Sequence, residues 1–338
     1  MSTRLVSLVA ALAAWLVAAP ARATPDDDLV TAPAAARSRE PADAELAVLR
    51  LRGLREWVDP ARLLSATRAL ARDPAVLPSA RALATFVGAE LARDLGQGPT
   101  ARRDAASLGF ITRWLVVGPF DNEGRAGLDR PAGPEEQRRA RIDPEVEFPG
   151  QARAVRWRLL PDEVASLGRV PLDAMVRPSV NACAYAHTTV RVTAAGPAVL
   201  RVGASGAVRA WVDGREVLRD PSVRRAFPDR DAVPLTLTAG LHRLLVKVCT
   251  DERGMAFYAR FTRPDGAALR LEASADPAAA PVLTAPAGVA PGLPASVSTF
   301  ARLRSLADRS TRAEDLERIA RYLAVSYTHR TLPTKRIV

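Results

Sequence analysis

Residues 208–217 read Val208-Arg209-Ala210-Trp211-Val212-Asp213-Gly214-Arg215-Glu216-Val217. Asp-Gly between two alternating apolar runs is the strongest short-range hairpin signal, because both central residues of a type I′ turn need positive φ. Ahead of the turn, Val208, Ala210 and Val212 share one face and Arg209 and Trp211 the other, so one face packs on a core. Two roles are open to Trp211. An exposed indole beside Arg209 or Tyr258 would stack on a sugar ring. Covered by a neighbouring segment such as Gly118-Pro119-Phe120, it would be packing instead. Large aromatics dominate core energetics and Phe, Trp and Tyr make up only 5% of this chain, so burial is the expectation.

Working outward, short β-branched and aromatic runs separated by turn residues continue on both sides. They predict strands over 111–117, 154–160, 182–193, 198–202, 208–212, 216–218, 234–237, 242–249, 255–261 and 268–271. That spacing predicts an antiparallel sandwich over 109–275. In Phe257-Tyr258-Ala259-Arg260-Phe261 the apolar residues alternate with a polar pair expected to face water. Cys183 and Cys249, the only cysteines, fall on the more polar faces of two strands. They can bridge only if those strands are neighbours, and the alternative is two half-buried thiols.

The flanks are different. Met1 to Ala23 combines Arg4, an uncharged run and a small-x-small end, which reads as a signal peptide at 1–23 and implies export to the periplasm or beyond. Residues 24–43, rich in Ala and Pro with Asp26, Asp27 and Asp28, are expected to be a flexible leader. Over 44–108 a helical period returns, with Leu46, Leu49, Leu54 and Trp57 in a first helix. Asp59-Pro60 opens a second, and Ala82, Phe86, Ala89 and Leu95 supply the stripe of a third before Gly96 and Gly98. Residues 276–298 are Ala/Pro/Gly-rich and read as a linker. Residues 299–324 resume a helical pattern, expected to begin another, repeat-like helical domain. The tail 325–338, VSYTHRTLPTKRIV, closely resembles a translated sequencing adaptor, from which it departs at Arg330. It is expected to be non-native and the native chain to continue.

The formal charge of +11 includes Arg4, Arg22, Arg330, Lys335 and Arg336, so the mature native part carries +6. Lys247 is the sole lysine before the tail, and the arginines are scattered. No basic stripe marks a nucleic-acid footprint, so no nucleic acid is expected as a partner. Once the signal is removed, no integral membrane association is expected either.

Two segments carry a resemblance. Thr112-Arg113-Trp114-Leu115-Val116-Val117-Gly118-Pro119-Phe120, with Gly127-Leu128-Asp129 and Pro134-Glu135 after it, resembles the lead-in found ahead of sandwich modules in large exported bacterial proteins. Those proteins often continue into tetratricopeptide repeats and a transglutaminase-like domain. The hairpin at 208–217 and the run Ala239 to Val248 are similar to paired strands of galactose-binding-like jelly rolls, including the accessory sandwich of many glycosidases. The resemblance implies a mainly β, jelly-roll (galactose-binding-like) sandwich. This chain departs from it at Asp213, where asparagine is usual, and at Leu241-His242, where Trp-Asn is usual.

Catalytic patterns are absent from the sequence. His187 and His242 lie in predicted strands without metal-ligand spacing, and there is no nucleophile elbow or phosphate-cradling glycine loop. The acidic pairs Asp121 with Glu123 and Asp229 with Asp231 offer too few oxygens for calcium. No catalytic residue, metal or cofactor is expected. The expectation is a non-catalytic scaffold or interaction module whose partners are proteins or other domains of the same chain. The alternative is a carbohydrate-binding module accessory to a downstream enzyme, with glycan as partner and Trp211, Arg209 and Tyr258 as its contacts.

Overall fold

The computed structural model describes residues 24–283 and 298–309, together with Ile319. The signal segment 1–23 and the tail 325–338 lie outside the described residues. The deciding turn forms as its residues dictate: Asp213 and Gly214 both take positive φ, 49° and 75°, joining β8 (Ala207–Val212) to β9 (Arg215–Asp220).

The chain is mainly antiparallel β-sheet with helices at its N-terminal side. One sheet is centred on two long strands, β6 (Ala182–Val192) and β11 (Gly240–Thr250). Beyond β11 come β8 and β9. Beyond β6 come β1 (Leu115–Asp121) and the short β4 (Arg158–Leu159), while β13 (Leu271–Ser274) pairs the other end of β6. The second sheet runs β10 (Asp231–Leu237), β7 (Gly196–Ala204), β12 (Ala256–Thr262) and β5 (Val170–Pro171). Inward residues from both sheets, among them Trp114, Val190, Leu200, Val208, Val246, Phe257 and Phe261, make one shared core. Apolar burial of this extent is the main favourable term in folding.

The Gly118-Pro119-Phe120 run has a structural meaning. Trp114 and Val116 point into the core, Leu115 and Val117 point out, and strict alternation would send Phe120 inward. The register of β1 on β6 shifts between Val117 and Phe120. Proline has no N–H for the ladder and is tolerated at such irregularities. The shift turns Phe120 outward, where its ring meets Tyr185 at 5.2 Å.

Several expectations are corrected. Residues 24–43 are not an irregular leader: α1 (Pro25–Ala35) starts on a Thr24 capping box with Asp27 and three acidic residues in its first turn, which complement the helix dipole. Ala32 and Ala36 are buried in the helical layer. Within 44–108 there are more helices than three: α2 (Pro41–Gly53), α3 (Pro60–Arg72), α4 (Pro78–Asp94) and α5 (Gly98–Ala106). Gly98 opens a helix with Pro99 at its second position. Trp57 follows a 3-10 turn that ends the stripe, and it is 72% exposed.

The polar pair on β12 does not meet water. Tyr258 joins Phe86 and Leu108 in a buried cluster. Arg260 donates to the Leu108 carbonyl at 2.9 Å and to Asp229. The helical layer thus covers the outer face of the second sheet. Helix α7 (Thr299–Arg309) packs on the helical layer: Leu303 and Ile319 lie against Leu46 and Leu49 of α2, and Arg302 pairs with buried Glu45. No helix among the described residues is long and apolar enough to cross a membrane.

Candidate functional site

On the outer face of the larger sheet, register places Tyr185, Lys247, Arg209 and Arg219 side by side across β6, β11, β8 and β9. A row of three cations on adjacent strands is repulsive by itself. The lead-in segment supplies the compensating charge. Glu135, at the end of the short helix α6 (Gly133–Glu136), accepts at Oε1 from the Tyr185 hydroxyl at 2.6 Å and from Lys247 Nζ at 2.7 Å. Its Oε2 lies 3.3 Å from Arg209, which is also paired with Glu216. Asp129 takes Arg219 through both carboxylate oxygens, at 2.7 and 2.8 Å.

Lys247 is 1% exposed, and burial lowers its pKa, with the Glu135 hydrogen bond opposing. Its ammonium also donates to the Leu128 and Arg130 carbonyls, at 3.2 and 2.9 Å. All three N–H donors are therefore taken, which leaves no lone pair for nucleophilic chemistry. Burial and the adjacent Glu135 charge raise the Tyr185 hydroxyl far above its ordinary value, so it is a neutral donor. The chemistry of this cluster is ionic fastening.

The sequence-derived contacts separate into two places. Trp211 is 3% exposed and lies in an apolar cluster with Ile142, Trp157, Leu245 and Ala280. The Arg209 guanidinium lies 4.9 Å from the Trp211 ring centroid. Trp211 is on the outward face, as alternation requires, but that face is itself buried around it. Tyr258 is on the other sheet, with Phe86 at 5.8 Å and Phe110 at 5.6 Å. It does not converge with Trp211. Cys183 and Cys249 are directly paired on β6 and β11 and joined by a disulfide. Of the acidic pairs, Asp121 is paired with Arg130, Asp229 with Arg260 and Asp231 with Arg224. Among the described residues no group of His, Cys, Asp and Glu could hold a metal ion.

Glu135 and Tyr185 were not singled out as site residues by sequence. The available signals were the Pro134-Glu135 step in the lead-in and the isolation of Lys247, whose partner has to be a carboxylate if it is buried. Beside this cluster a half-open cleft of about 440 Å³ is walled by Phe120, Phe148 and Tyr185, with Glu136, Gln137 and Glu147 around it.

No family model and no curated protein matches the chain. Among solved structures it is similar in part to the PA14 sugar-binding domain from an RTX adhesin, at 24% identity over 27% of this chain and 51% of that one, with a TM-score of 0.21. A β-glucosidase from Kluyveromyces marxianus in complex with glucose overlaps at 13% identity, 28% of this chain and 13% of that one, TM-score 0.23. An anti-sigma factor domain-containing protein from Clostridium clariflavum overlaps at 12% identity, 47% of this chain and 43% of that one, TM-score 0.29. The chain spans about half or less of each of these proteins, and overlaps at such TM-scores carry no weight on function.

Proposed function

We propose that this chain is a non-catalytic scaffold or interaction module of a larger exported protein, built on a galactose-binding-like jelly roll and serving other domains of that protein. One observation supports the reading above all: Trp211, the candidate sugar platform, is buried in an apolar cluster of the chain's own residues. The helical layer likewise covers Tyr258 on the opposite face. Trp211→Ala tests it. A buried indole costs ~3–5 kcal/mol when truncated, so the melting temperature should fall sharply, with no retention on a polysaccharide column in either form. An unchanged melting temperature together with lost retention would overturn the scaffold reading.

A second reading, saccharide binding, is favoured by the cleft beside Phe120 and Phe148. Its apolar walls and nearby carboxylates and amide suit the faces and hydroxyls of a sugar, and its volume is in the range of small-molecule sites. Glu147→Ala and Gln137→Ala should abolish glycan retention under this reading and leave stability unchanged.

A further inference from the structure

His242 touches acceptors at both ring nitrogens. Nδ1 lies 2.6 Å from Asp213 Oδ2 and Nε2 lies 2.9 Å from the Thr238 carbonyl oxygen. A neutral imidazole carries one N–H and would leave one of these contacts without a proton. Only the doubly protonated ring donates to both. The other oxygen of Asp213 accepts the Arg243 amide at 2.7 Å, while the Asp213 amide donates to the Arg243 carbonyl at 2.9 Å. The carboxylate at the hairpin turn therefore takes the place of a backbone acceptor in the β11 ladder, and the imidazolium holds it there.

Other segments are anchored at this corner. Arg138 Nε donates to the Gly214 carbonyl at 3.0 Å. The amide of Leu283 donates to the Arg139 carbonyl at 3.0 Å. Arg243 Nη1 donates to the carbonyls of Ala140 at 2.6 Å and Pro281 at 3.3 Å. The lead-in and the stretch after β13 are both tied to the same turn.

We infer that His242 is a proton-operated clamp: its imidazolium fastens the β8–β9 turn to the start of β11, and loss of a ring proton loosens that corner together with the segments anchored on it. Among the described residues, Asp213 is the ionisable group in contact with the ring. Arg243, Arg138 and Arg139 are the cations at the turn itself. The Asp213 hydrogen bond raises the ring above its ordinary 6.5, burial opposing and the Thr238 carbonyl adding to it. The unfolded ring titrates near 6.5 and the folded ring higher. The clamp is thus fully stabilising below that value and is lost as pH rises through the folded one.

Imidazole NMR on the full chain reads this directly. His242 should titrate with a midpoint above 6.5, and exchange at the Asp213 and Arg243 amides, corrected for intrinsic rate, should accelerate as the ring deprotonates. His242→Gln should lower the melting temperature on the acid side of that midpoint and converge on wild type on the alkaline side. A ring midpoint at or below 6.5 overturns the proposal, as does a deficit in the variant that is equal at every pH. The wild-type NMR measurement decides the matter if the variant does not fold.

Discussion

Lys247 Nζ and Glu135 Oε1 lie 2.7 Å apart though 112 positions separate them in sequence, and almost no solvent reaches either group. This pair joins the one lysine of the strands to the lead-in that covers them. It explains why Gly127-Leu128-Asp129 and Pro134-Glu135 accompany the sandwich: Leu128 gives a carbonyl to both Lys247 and Arg209, Asp129 holds Arg219, and Glu135 closes the row.

Removing one partner of a buried pair leaves the other as an uncompensated charge, at a cost of ~3–5 kcal/mol. Glu135→Ala should cost that much, because Lys247 and Arg209 both lose it. Lys247→Met should cost less, since Glu135 keeps Tyr185 and Arg209. In urea unfolding the double variant Glu135→Leu/Lys247→Met should be clearly less destabilised than the two single effects added together. Simple additivity would show that the two side chains are not coupled.

How much of this was legible in the sequence follows from what alternation encodes. Alternation with period two gave the strands and the outward phase of Trp211, because backbone geometry alone decides them. It could not give what covers an outward face: Tyr258 and Arg260 read as solvent-facing, yet helices from far earlier in the chain lie over them. Composition misled at 24–43, where Ala and Pro suggest disorder but Thr24 and Asp27 cap a helix. Asp213 and His242 each departed from the resembled motif, and the structure makes those two departures partners of one another. No single position could reveal that.

Gly127 sits where the lead-in crosses the disulfide. A Cβ there would lie 2.5 Å from the Asp121 carbonyl oxygen, 2.6 Å from Cys183 Sγ and 2.8 Å from Asn122 Oδ1. None of these is the free end of a flexible chain. Gly127→Ala should cost ~1–3 kcal/mol through overpacking. Unchanged thermal stability would show that the crossing has room for a methyl group.

The Cys183–Cys249 bridge joins adjacent strands beneath that crossing, and both residues are buried, at 0% and 2% exposure. Folded protein should therefore resist alkylation after mild reductant and become reactive only with denaturant. Non-reducing intact mass should be lighter by two hydrogens than the reduced chain. The double variant Cys183→Ser/Cys249→Ser should lose ~2–5 kcal/mol. Ready alkylation of native protein without reductant would mean that the thiols are free.

His187 should titrate in the sense opposite to His242. It is 3% exposed on β6, and burial, with the positive charge of Arg243 adding to it, lowers its pKa from 6.5 to about 3. Arg243 Nε donates to its Nε2 at 3.4 Å, which requires the neutral ring. A group with a depressed folded pKa of this kind must gain a proton on unfolding. Its contribution is intact above the unfolded value of 6.5 and is lost as pH falls from there toward about 3. Wild-type melting temperature should therefore decline on acidification below 6.5, and His187→Gln should show a shallower decline over the same range. The amide keeps an acceptor for Arg243 but binds no proton. Asp and Glu protonation adds to the slope at the acid end, so the comparison is drawn from the upper part of the range, where carboxylates are still ionised. Equal slopes for wild type and His187→Gln there would mean that the imidazole is already charged in the folded state.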